Sequence, residues 1–207
     1  MIDSLPSRLA TRLQAPLPGW AAQSRFQPEL SFGRHRGPAQ GDARPAAVLV
    51  LLYPREGQWH IPLMVRPDHM VAHAGQVSFP GGMIEPGETA RGAALREYSE
   101  ELGAPADGVA VLGRLSELYL FASNFRIDPW VGVLERQPSF APSVHEVARV
   151  LEVPLSHLLD PSNTGTFERR QGDLLFSAPC FHFDNEYVWG ATSMILAELA
   201  AVIEELR

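Results

Sequence analysis

The chain has 207 residues, of which 45% are hydrophobic and 20% are charged, a composition typical of a globular domain with one sizeable core. Its net charge of −7 disfavours non-specific binding to nucleic acid or to an anionic membrane, so we expect neither as a partner. The single cysteine, Cys180, excludes an intrachain disulfide and a cysteine-rich zinc site, and its apolar surroundings predict a buried residue.

The N-terminal part of the chain predicts a short helix followed by a loop. Leu5, Leu9 and Leu13 recur at helical spacing, whereas residues 33–45 are rich in glycine and proline. We therefore expect residues 1–44 to form an N-terminal helix and mobile loop that pack on or flank a domain formed by residues 45–207. The start of the chain lacks the apolar core of a signal peptide, and no apolar run approaches the ~20 residues of a spanning helix. These observations predict a cytoplasmic protein.

Residues 46–66 predict a hairpin of two strands, at 46–53 and 59–66, joined by the turn "PREGQ". The glycine-, proline- and histidine-rich stretch 67–88 predicts a long functional loop that contains a short strand near "QVSF". Residues 89–102 predict a helix that Gly103 ends.

The rest of the chain predicts more strands and a closing helix. Strand-like segments occupy 109–120, 126–134 and 180–190, and a helix is predicted at 192–206. This mixed order of strands and helices favours an α/β or α+β sandwich.

Three glutamates, Glu97, Glu100 and Glu101, share one face of the helix predicted at 89–102. Such a run is typical of a solvated acidic face. It is also typical of a site for Mg²⁺ or Mn²⁺, because these ions prefer oxygen ligands and relieve the repulsion among clustered carboxylates. This stretch by itself leaves both interpretations open.

The residues before the helix extend this pattern into a longer motif. Gly82 is followed after five residues by Glu88, then after seven residues by "REYSEELG", which ends at Gly103. The segment resembles the Nudix box and keeps all of its charged positions, while Tyr98 and Ala104 stand where aliphatic residues are usual. The resemblance implies an α/β protein, a Nudix-type α/β/α sandwich with a central mixed β-sheet, and metal-dependent attack of water on a diphosphate linkage.

The resemblance also implies a role for each residue of the box. Glu97 and Glu101 become the principal ligands of Mg²⁺ or Mn²⁺, with Glu100 as a further ligand or as the partner of a catalytic water. The main-chain carbonyl of Gly82 completes part of the shell. Two further residues, Glu88 and Arg96, form a supporting pair that fixes the loop against the helix.

Glu146, in a later loop, is a candidate for a metal ligand or for the general base. In Nudix enzymes a glutamate from such a loop often has one of these roles, and Glu100 is the competing base. The alternative for Glu146 is a plain acid at the start of a helix formed by "VARVL", where the helix dipole favours a negative charge.

The stretch upstream of the box resembles the coenzyme A diphosphatase subfamily of Nudix hydrolases. This likeness implies cleavage of coenzyme A to 3′,5′-ADP and 4′-phosphopantetheine, and a homodimer. It makes Arg66, His73 and Gly81 candidate substrate-binding residues, although Arg66 also fits an exposed cation at a strand end and His73 also fits a loop hydrogen bond. The positions in register are Arg66, His73, Gly75, Val77, Phe79, Pro80, Gly81 and Gly82.

Val71 departs from the subfamily pattern, because an arginine is usual at this position. The departure leaves open a Nudix hydrolase of another nucleoside diphosphate derivative, such as ADP-ribose or a dinucleotide. A third alternative, a non-catalytic Nudix domain that senses a ligand, is disfavoured because no carboxylate of the box is lost. Arg34, His35 and Arg36 are candidate contacts for a 3′-phosphate, although a solvated basic run is the simpler interpretation.

Overall fold

The computed structural model describes residues 4–29, 39, 41–70, 73–171 and 173–207. Val71 and the basic run at 34–36 lie outside these residues. The helices are α1 (Leu5–Arg12), α2 (Trp20–Gln23), α3 (Ala90–Leu102), α4 (Leu155–Leu158) and α5 (Ala191–Glu204). The strands are β1 (Arg44–Arg55), β2 (Gln58–Val65), β3 (Val77–Ser78), β4 (Gly81–Met83), β5 (Ala110–Arg114), β6 (Leu118–Leu120), β7 (Phe125–Val133), β8 (Arg149–Pro154), β9 (Thr164–Gln171), β10 (Leu174–Phe183) and β11 (Glu186–Trp189).

Eight of these strands form one mixed sheet around β1. Its main path runs β3-β2-β1-β7-β5, with β4 attached to β1, β6 to β7 and β8 to β2. The pair β1–β7 is parallel, whereas β1 and β2 form the antiparallel hairpin predicted from the sequence. The other three strands form a separate antiparallel sheet in the order β11-β10-β9.

Alternation along β1 supplies two apolar cores, one on each face of the sheet. Ala47, Leu49 and Leu51 belong to the core that contains α3 residues, whereas Val50 and Leu52 belong to the core that contains α5 residues. Because successive side chains point to opposite faces, one strand separates two helical layers. The α/β/α sandwich with a central mixed sheet is therefore confirmed.

Helix α3 has defined signals at both ends. The Thr89 hydroxyl accepts a hydrogen bond from the Gly92 N–H at 3.1 Å, and Gly103 ends the helix with φ +61°. A Cβ at position 103 would lie 2.7 Å from the carbonyl carbon of Ala141, so the close approach of this loop also requires glycine. The helix and stop predicted at 89–103 are confirmed.

Three local predictions were wrong or incomplete. The segment 109–120 forms two strands, β5 and β6, and the predictions omitted β9, whose polar sequence is held by its ladder with β10. Residues 149–154 are the strand β8, so Glu146 does not begin a helix. The β-branched residues of "RVLEVP" pair with β2, and this tertiary pairing decides the local structure.

The N-terminal segment packs on the core beneath α5. Leu9, Leu13 and Phe26 are buried in the same core as that helix. Glu198 of α5 is fully buried and accepts hydrogen bonds from the Gly19 N–H (3.0 Å), Gln23 Nε2 (2.8 Å) and the Ser116 N–H (3.2 Å). The division of the chain at residue 44 stays a prediction.

Two smaller observations complete the fold. Cys180 is fully buried on β10, as predicted. None of the helices in the described part of the chain combines the length and apolarity that crossing a bilayer requires.

Candidate active site

Strand β4 brings the glycine-rich turn against the carboxylates of α3. The Gly81 N–H donates a hydrogen bond to Glu101 Oε2 at 2.8 Å. A Cβ on Gly82 would lie 2.5 Å from Glu97 Cδ, and a Cβ on Gly81 would lie 2.5 Å from the carbonyl oxygen of Ala47. Glycine is required at both positions because the main chain of β4 lies directly between β1 and the acidic side of α3.

The three glutamates of the helix have different environments. The Glu101 side chain is only 7% exposed and that of Glu97 is 17% exposed, whereas Glu100 is 56% exposed. Helical spacing predicts that all three carboxylates lie on one exposed face of the helix. The structure instead buries Glu101 beside β4, because the Gly81 N–H replaces part of the hydration that the carboxylate loses.

Burial and mutual repulsion make two of these carboxylates easier to protonate than free glutamate. Burial raises the pKa of Glu101 to about 8, and the charges of Glu97 and Glu146 add to the effect while the Gly81 N–H and Arg66 oppose it. Burial likewise raises the pKa of Glu97, against the hydrogen bond from Arg96. A divalent cation would relieve both costs.

Arg96 connects the turn to the helix. Its Nε and Nη2 donate to the two carboxylate oxygens of Glu88 at 3.0 and 3.1 Å, and Nη2 also donates to the Met83 carbonyl at 3.1 Å. Its Nη1 donates to Glu97 Oε1 at 2.8 Å and to Glu100 Oε2 at 2.9 Å. The hydrogen bond from Arg96 lowers the pKa of Glu88, so this carboxylate stays ionised.

The loop that carries Glu146 is attached to the C-terminal end of α3. Main-chain N–H groups of Ala141 and Ser143 donate to the carbonyls of Leu102 and Glu101, each at 2.9 Å. The loop then turns at Ser143, whose carbonyl accepts from the Glu146 N–H at 3.1 Å. The charge of Glu146 raises the pKa of both Glu97 and Glu101, so Glu146 lies within the range of charge interaction with both.

Arg66 and His73 both belong to the loop that follows β2. Arg66 Nη1 lies 4.0 Å from Glu101 Oε1, a distance for charge interaction but too long for a hydrogen bond. Its main chain exchanges hydrogen bonds with Gln76 and Gly75, which closes the loop. His73 is exposed with φ +59°, and its Nδ1 lies 2.9 Å from Gln76 Oε1. No hydrogen bond or ion pair among the described residues joins His73 to the carboxylates.

The donor set is suited to a hard divalent cation. Glu97, Glu101 and the Gly82 carbonyl offer only oxygen atoms, and two of these groups are desolvated carboxylates that repel each other. In the described part of the chain, no three His, Cys, Asp or Glu side chains already surround a common point. Arg96 is the cation that pairs with Glu97 and Glu100 in this arrangement. The chemistry of these oxygen ligands therefore fits a hard divalent metal ion.

Sequence reasoning missed the contacts that place Glu146. The ends of helices leave carbonyl groups that need partners, and Gly103 marks such an end. This signal predicts that some segment docks there. It does not identify residues 141–143 as that segment, because they are distant in sequence from the helix start and carry no motif.

Comparison with known proteins finds a matching family model and relatives of similar sequence. The model of the NUDIX domain matches residues 43–169. An uncharacterized Nudix hydrolase NudL of Yersinia enterocolitica is 33% identical over 165 residues, covering 79% of this chain and 84% of the relative. A NudL of Yersinia pestis is 34% identical over 158 residues, covering 76% and 78%.

Solved structures show the same fold at lower identity. The Nudix hydrolase RenU of M. smegmatis superposes with a TM-score of 0.57 over 88% of this chain and 95% of its own, at 16% identity. The family match spans most of the chain and includes β1, β4, α3 and the Glu146 loop, which together form the carboxylate site. The chain belongs to the Nudix hydrolase family.

Proposed function

We propose that this Nudix hydrolase cleaves the diphosphate linkage of coenzyme A, or of its derivatives, to 3′,5′-ADP and 4′-phosphopantetheine, using Mg²⁺ or Mn²⁺. The observation that supports this most is the segment 66–82, which resembles the coenzyme A diphosphatase subfamily in register. The same segment provides the Gly81 N–H at 2.8 Å and the Arg66 guanidinium at 4.0 Å from Glu101. Two residues of the resemblance, Gly81 and Arg66, thus lie beside the Glu101 carboxylate.

In this proposal the residues of the box bind the metal ion and fix the strand that carries part of its ligand set. Nudix hydrolases generally use divalent metal ions; when bound, the ion neutralises charge on the diphosphate and lowers the pKa of a bound water. Glu97, Glu101 and the Gly82 carbonyl hold the ion. Glu88 keeps Arg96 in place through two hydrogen bonds, and this fixes β4 relative to α3.

Two carboxylates compete for the role of general base. Glu100 accepts a hydrogen bond from Arg96 at 2.9 Å, so one of its carboxylate oxygens is already engaged. Glu146 is exposed, and no hydrogen bond to its side chain is formed by the residues that the structure describes. We therefore favour Glu146 as the base, with Glu100 as a metal ligand or water partner. The Glu146→Gln variant should then lose far more of kcat than Glu100→Gln.

The substrate is tested by direct product analysis. Pure protein incubated with coenzyme A and Mg²⁺ should release 3′,5′-ADP and 4′-phosphopantetheine, which chromatography separates. Addition of EDTA, or use of the Glu101→Gln variant, should stop the release. Preferential turnover of ADP-ribose or a dinucleotide, without products from coenzyme A, would refute the substrate while leaving the reaction class intact.

A second candidate substrate class is supported by Val71, which replaces the arginine usual in the subfamily. Without that arginine the site has one cation fewer for a phosphate group, which favours another nucleoside diphosphate derivative, such as ADP-ribose or a dinucleotide. A panel of coenzyme A, ADP-ribose, NADH and diadenosine polyphosphates, assayed with parent and Val71→Arg proteins, separates the two. Selectivity for coenzyme A in the parent protein supports the first candidate.

The likeness to the subfamily also supports a homodimer. Light scattering after size exclusion should give twice the 22.8 kDa chain mass. A monomer at assay concentrations would refute this part of the proposal.

A further inference from the structure

Strand β9 forms one edge of the separate three-stranded sheet and, among the described residues, pairs only with β10. It is eight residues long, and its continuous register with β10 contains neither a bulge nor a proline, two devices that commonly protect an exposed edge. The part of β10 that extends beyond β11 is covered, because the Ser177 N–H donates to Glu29 Oε2 at 2.8 Å. An uncovered edge such as that of β9 can pair with a strand of another chain.

The hydrogen bond of Ser177 shows which main-chain groups of β9 point outward. Ser177 lies opposite Glu168 in the ladder. Because the Ser177 N–H donates to Glu29 and not to β9, these two residues form a non-hydrogen-bonded pair of the antiparallel ladder. The main-chain groups of Glu168, and of its alternate neighbours Thr166 and Arg170, therefore point away from β10. No described residue forms a hydrogen bond with the main chain of these three residues.

The two faces of β9 carry different side chains. On one face Phe167 stacks on Tyr187, with ring centroids 4.6 Å apart, and Tyr187 stays 46% exposed. Phe167 is itself half-buried, so part of its ring also meets solvent at the middle of the strand. The residues of the other face are all exposed and polar, and they are Thr164, Thr166, Glu168 and Arg170.

We propose that two copies of this chain pair through β9, in antiparallel orientation, about a twofold axis at Phe167. The pairing joins the two small sheets into one continuous sheet. Phe167 of one copy then lies directly opposite Phe167 of the other, and the two rings extend the stack that each forms with Tyr187. Thr166 exchanges main-chain hydrogen bonds with Glu168 of the second copy, and the Arg170 N–H donates to the Thr164 carbonyl. The inference rests on the homodimer of the proposed function and identifies its surface.

The charges of β9 select this register and a second copy as the partner. An axis at Glu168 would set two glutamates directly opposite each other, and an axis at Arg169 would set two arginines opposite, and both arrangements are destabilising. An axis nearer Thr164 would leave the main chain of Arg170 beyond the paired strand. With the axis at Phe167, every charged side chain of the strand faces an uncharged residue, because positions 168, 169 and 170 lie opposite Thr166, Gly165 and Thr164.

Two substitutions of Thr166 with opposite charge test the register, with the dimer dissociation constant measured by analytical ultracentrifugation. Thr166→Glu should weaken the dimer by about tenfold, because it sets a carboxylate opposite Glu168 at two symmetric points. Thr166→Lys faces the same Glu168 with the opposite charge, so the dimer should be as tight as that of the parent protein or tighter. Thr11→Glu, an exposed threonine on α1, is the control for the charge change and should dimerise like the parent protein. Circular dichroism shows whether each variant is folded.

A cysteine at the twofold axis tests the same register by a covalent link. Residues opposite each other in a non-hydrogen-bonded pair have Cα atoms about 4.5 Å apart, a separation that a disulfide can bridge. Phe167→Cys should therefore form a disulfide-linked dimer on oxidation, whereas the control Arg169→Cys should not. The native Cys180 is fully buried and does not compete.

The outcomes separate this surface from the homodimer itself. A dimeric parent protein in which Thr166→Glu and Thr166→Lys dissociate alike, or in which Arg169→Cys is linked and Phe167→Cys is not, would overturn the β9 surface and leave the homodimer intact. A monomeric parent protein would overturn both. Neither result affects the proposed cleavage of coenzyme A, which product analysis measures separately.

Discussion

The main-chain N–H of Gly81 and the carboxylate of Glu101 form a hydrogen bond of 2.8 Å that joins the glycine-rich strand to the buried side of the acidic helix. This bond separates Glu101 from its neighbours on α3, since Glu97 and Glu100 are held by Arg96 instead. One helix thus carries a buried carboxylate and two that are paired with an arginine.

Replacing Glu101 by Gln should reduce kcat by about a thousandfold or more, because a neutral amide is a poor ligand for a hard divalent ion. The steady-state rate with Mg²⁺ measures this loss, and circular dichroism shows whether the fold is kept. Glu204→Gln, an exposed acid of α5, is the control and should retain full activity. Unchanged turnover in Glu101→Gln would contradict the metal role.

The metal-free protein should lose stability as the pH rises from about 4.5 to 8. Burial raises the pKa of Glu101 from 4.5 to about 8, so in this window the unfolded chain has released a proton that the folded chain retains. The free energy of unfolding then falls by about 1.4 kcal/mol per pH unit for this group and levels off above pH 8. The raised pKa of Glu97 acts in the same direction.

Urea unfolding in EDTA at several pH values tests this dependence. The Glu101→Gln variant should show a flatter profile and should exceed the parent protein in stability at pH 8, on the order of a few kcal/mol. Mg²⁺ should restore stability to the parent protein at pH 8 but have a smaller effect on the variant. Identical profiles for the two metal-free proteins would contradict the burial argument.

A methyl group at position 82 should weaken metal binding. A Cβ on Gly82 would lie 2.5 Å from Glu97 Cδ, so the carboxylate must move away from the strand in Gly82→Ala. We expect at least a tenfold rise in the dissociation constant for Mn²⁺, measured by calorimetry. The matched control is Gly41→Ala, where a Cβ meets nothing within 4 Å and the variant should bind like the parent protein.

Arg96→Lys should destabilise the metal-free protein by about 1–3 kcal/mol, because a lysine cannot replace a planar fork that contacts four residues. The control is Arg114→Lys, which alters a pair with Asp128 whose arginine is 58% exposed and should cost less than about 1 kcal/mol. Chemical unfolding of both variants decides the comparison. Equal effects at the two sites would show that the Arg96 network adds no more stability than an exposed ion pair.

Glu198→Ala should destabilise the fold by about 3 kcal/mol or more while the remaining folded enzyme keeps its kcat. The substitution removes the acceptor for donors from residues 19, 23 and 116, all of which belong to segments on the α5 side of the sheet. Urea unfolding measures the loss, and limited proteolysis should find cleavage sites near residues 13–29. Glu205→Ala, an exposed partner of Arg12, is the control with a small effect.

The fold was predictable where the spacing of apolar residues agrees with the turn and helix-end residues around it. The hairpin of β1 and β2 follows from two apolar runs around a turn, and α3 follows from its spacing and from Gly103. The strand β9 was not predictable, since "TGTFERRQ" has no strong apolar alternation and owes its state to pairing with β10. Local sequence does not encode a partner that lies elsewhere in the chain.

The residues of the candidate site were predictable from the sequence, but the burial and hydrogen-bond partners of each residue were not. The motif identified Glu97, Glu100 and Glu101, and helical spacing placed them together. It did not distinguish the buried Glu101 from the exposed Glu100, because that difference arises from β4, which approaches one side of the helix.

The hydrogen bonds from residues 141 and 143 to the last carbonyls of α3 couple the position of Glu146 to the end of that helix. The helix carries three carboxylates directly and holds the fourth, Glu146, through main-chain hydrogen bonds. The position of Glu146 relative to the helix carboxylates therefore depends on where α3 ends, and Gly103 fixes that end. A substitution that extends the helix past Gly103 would displace Glu146 together with residues 141–143, because Ala141 packs directly against position 103.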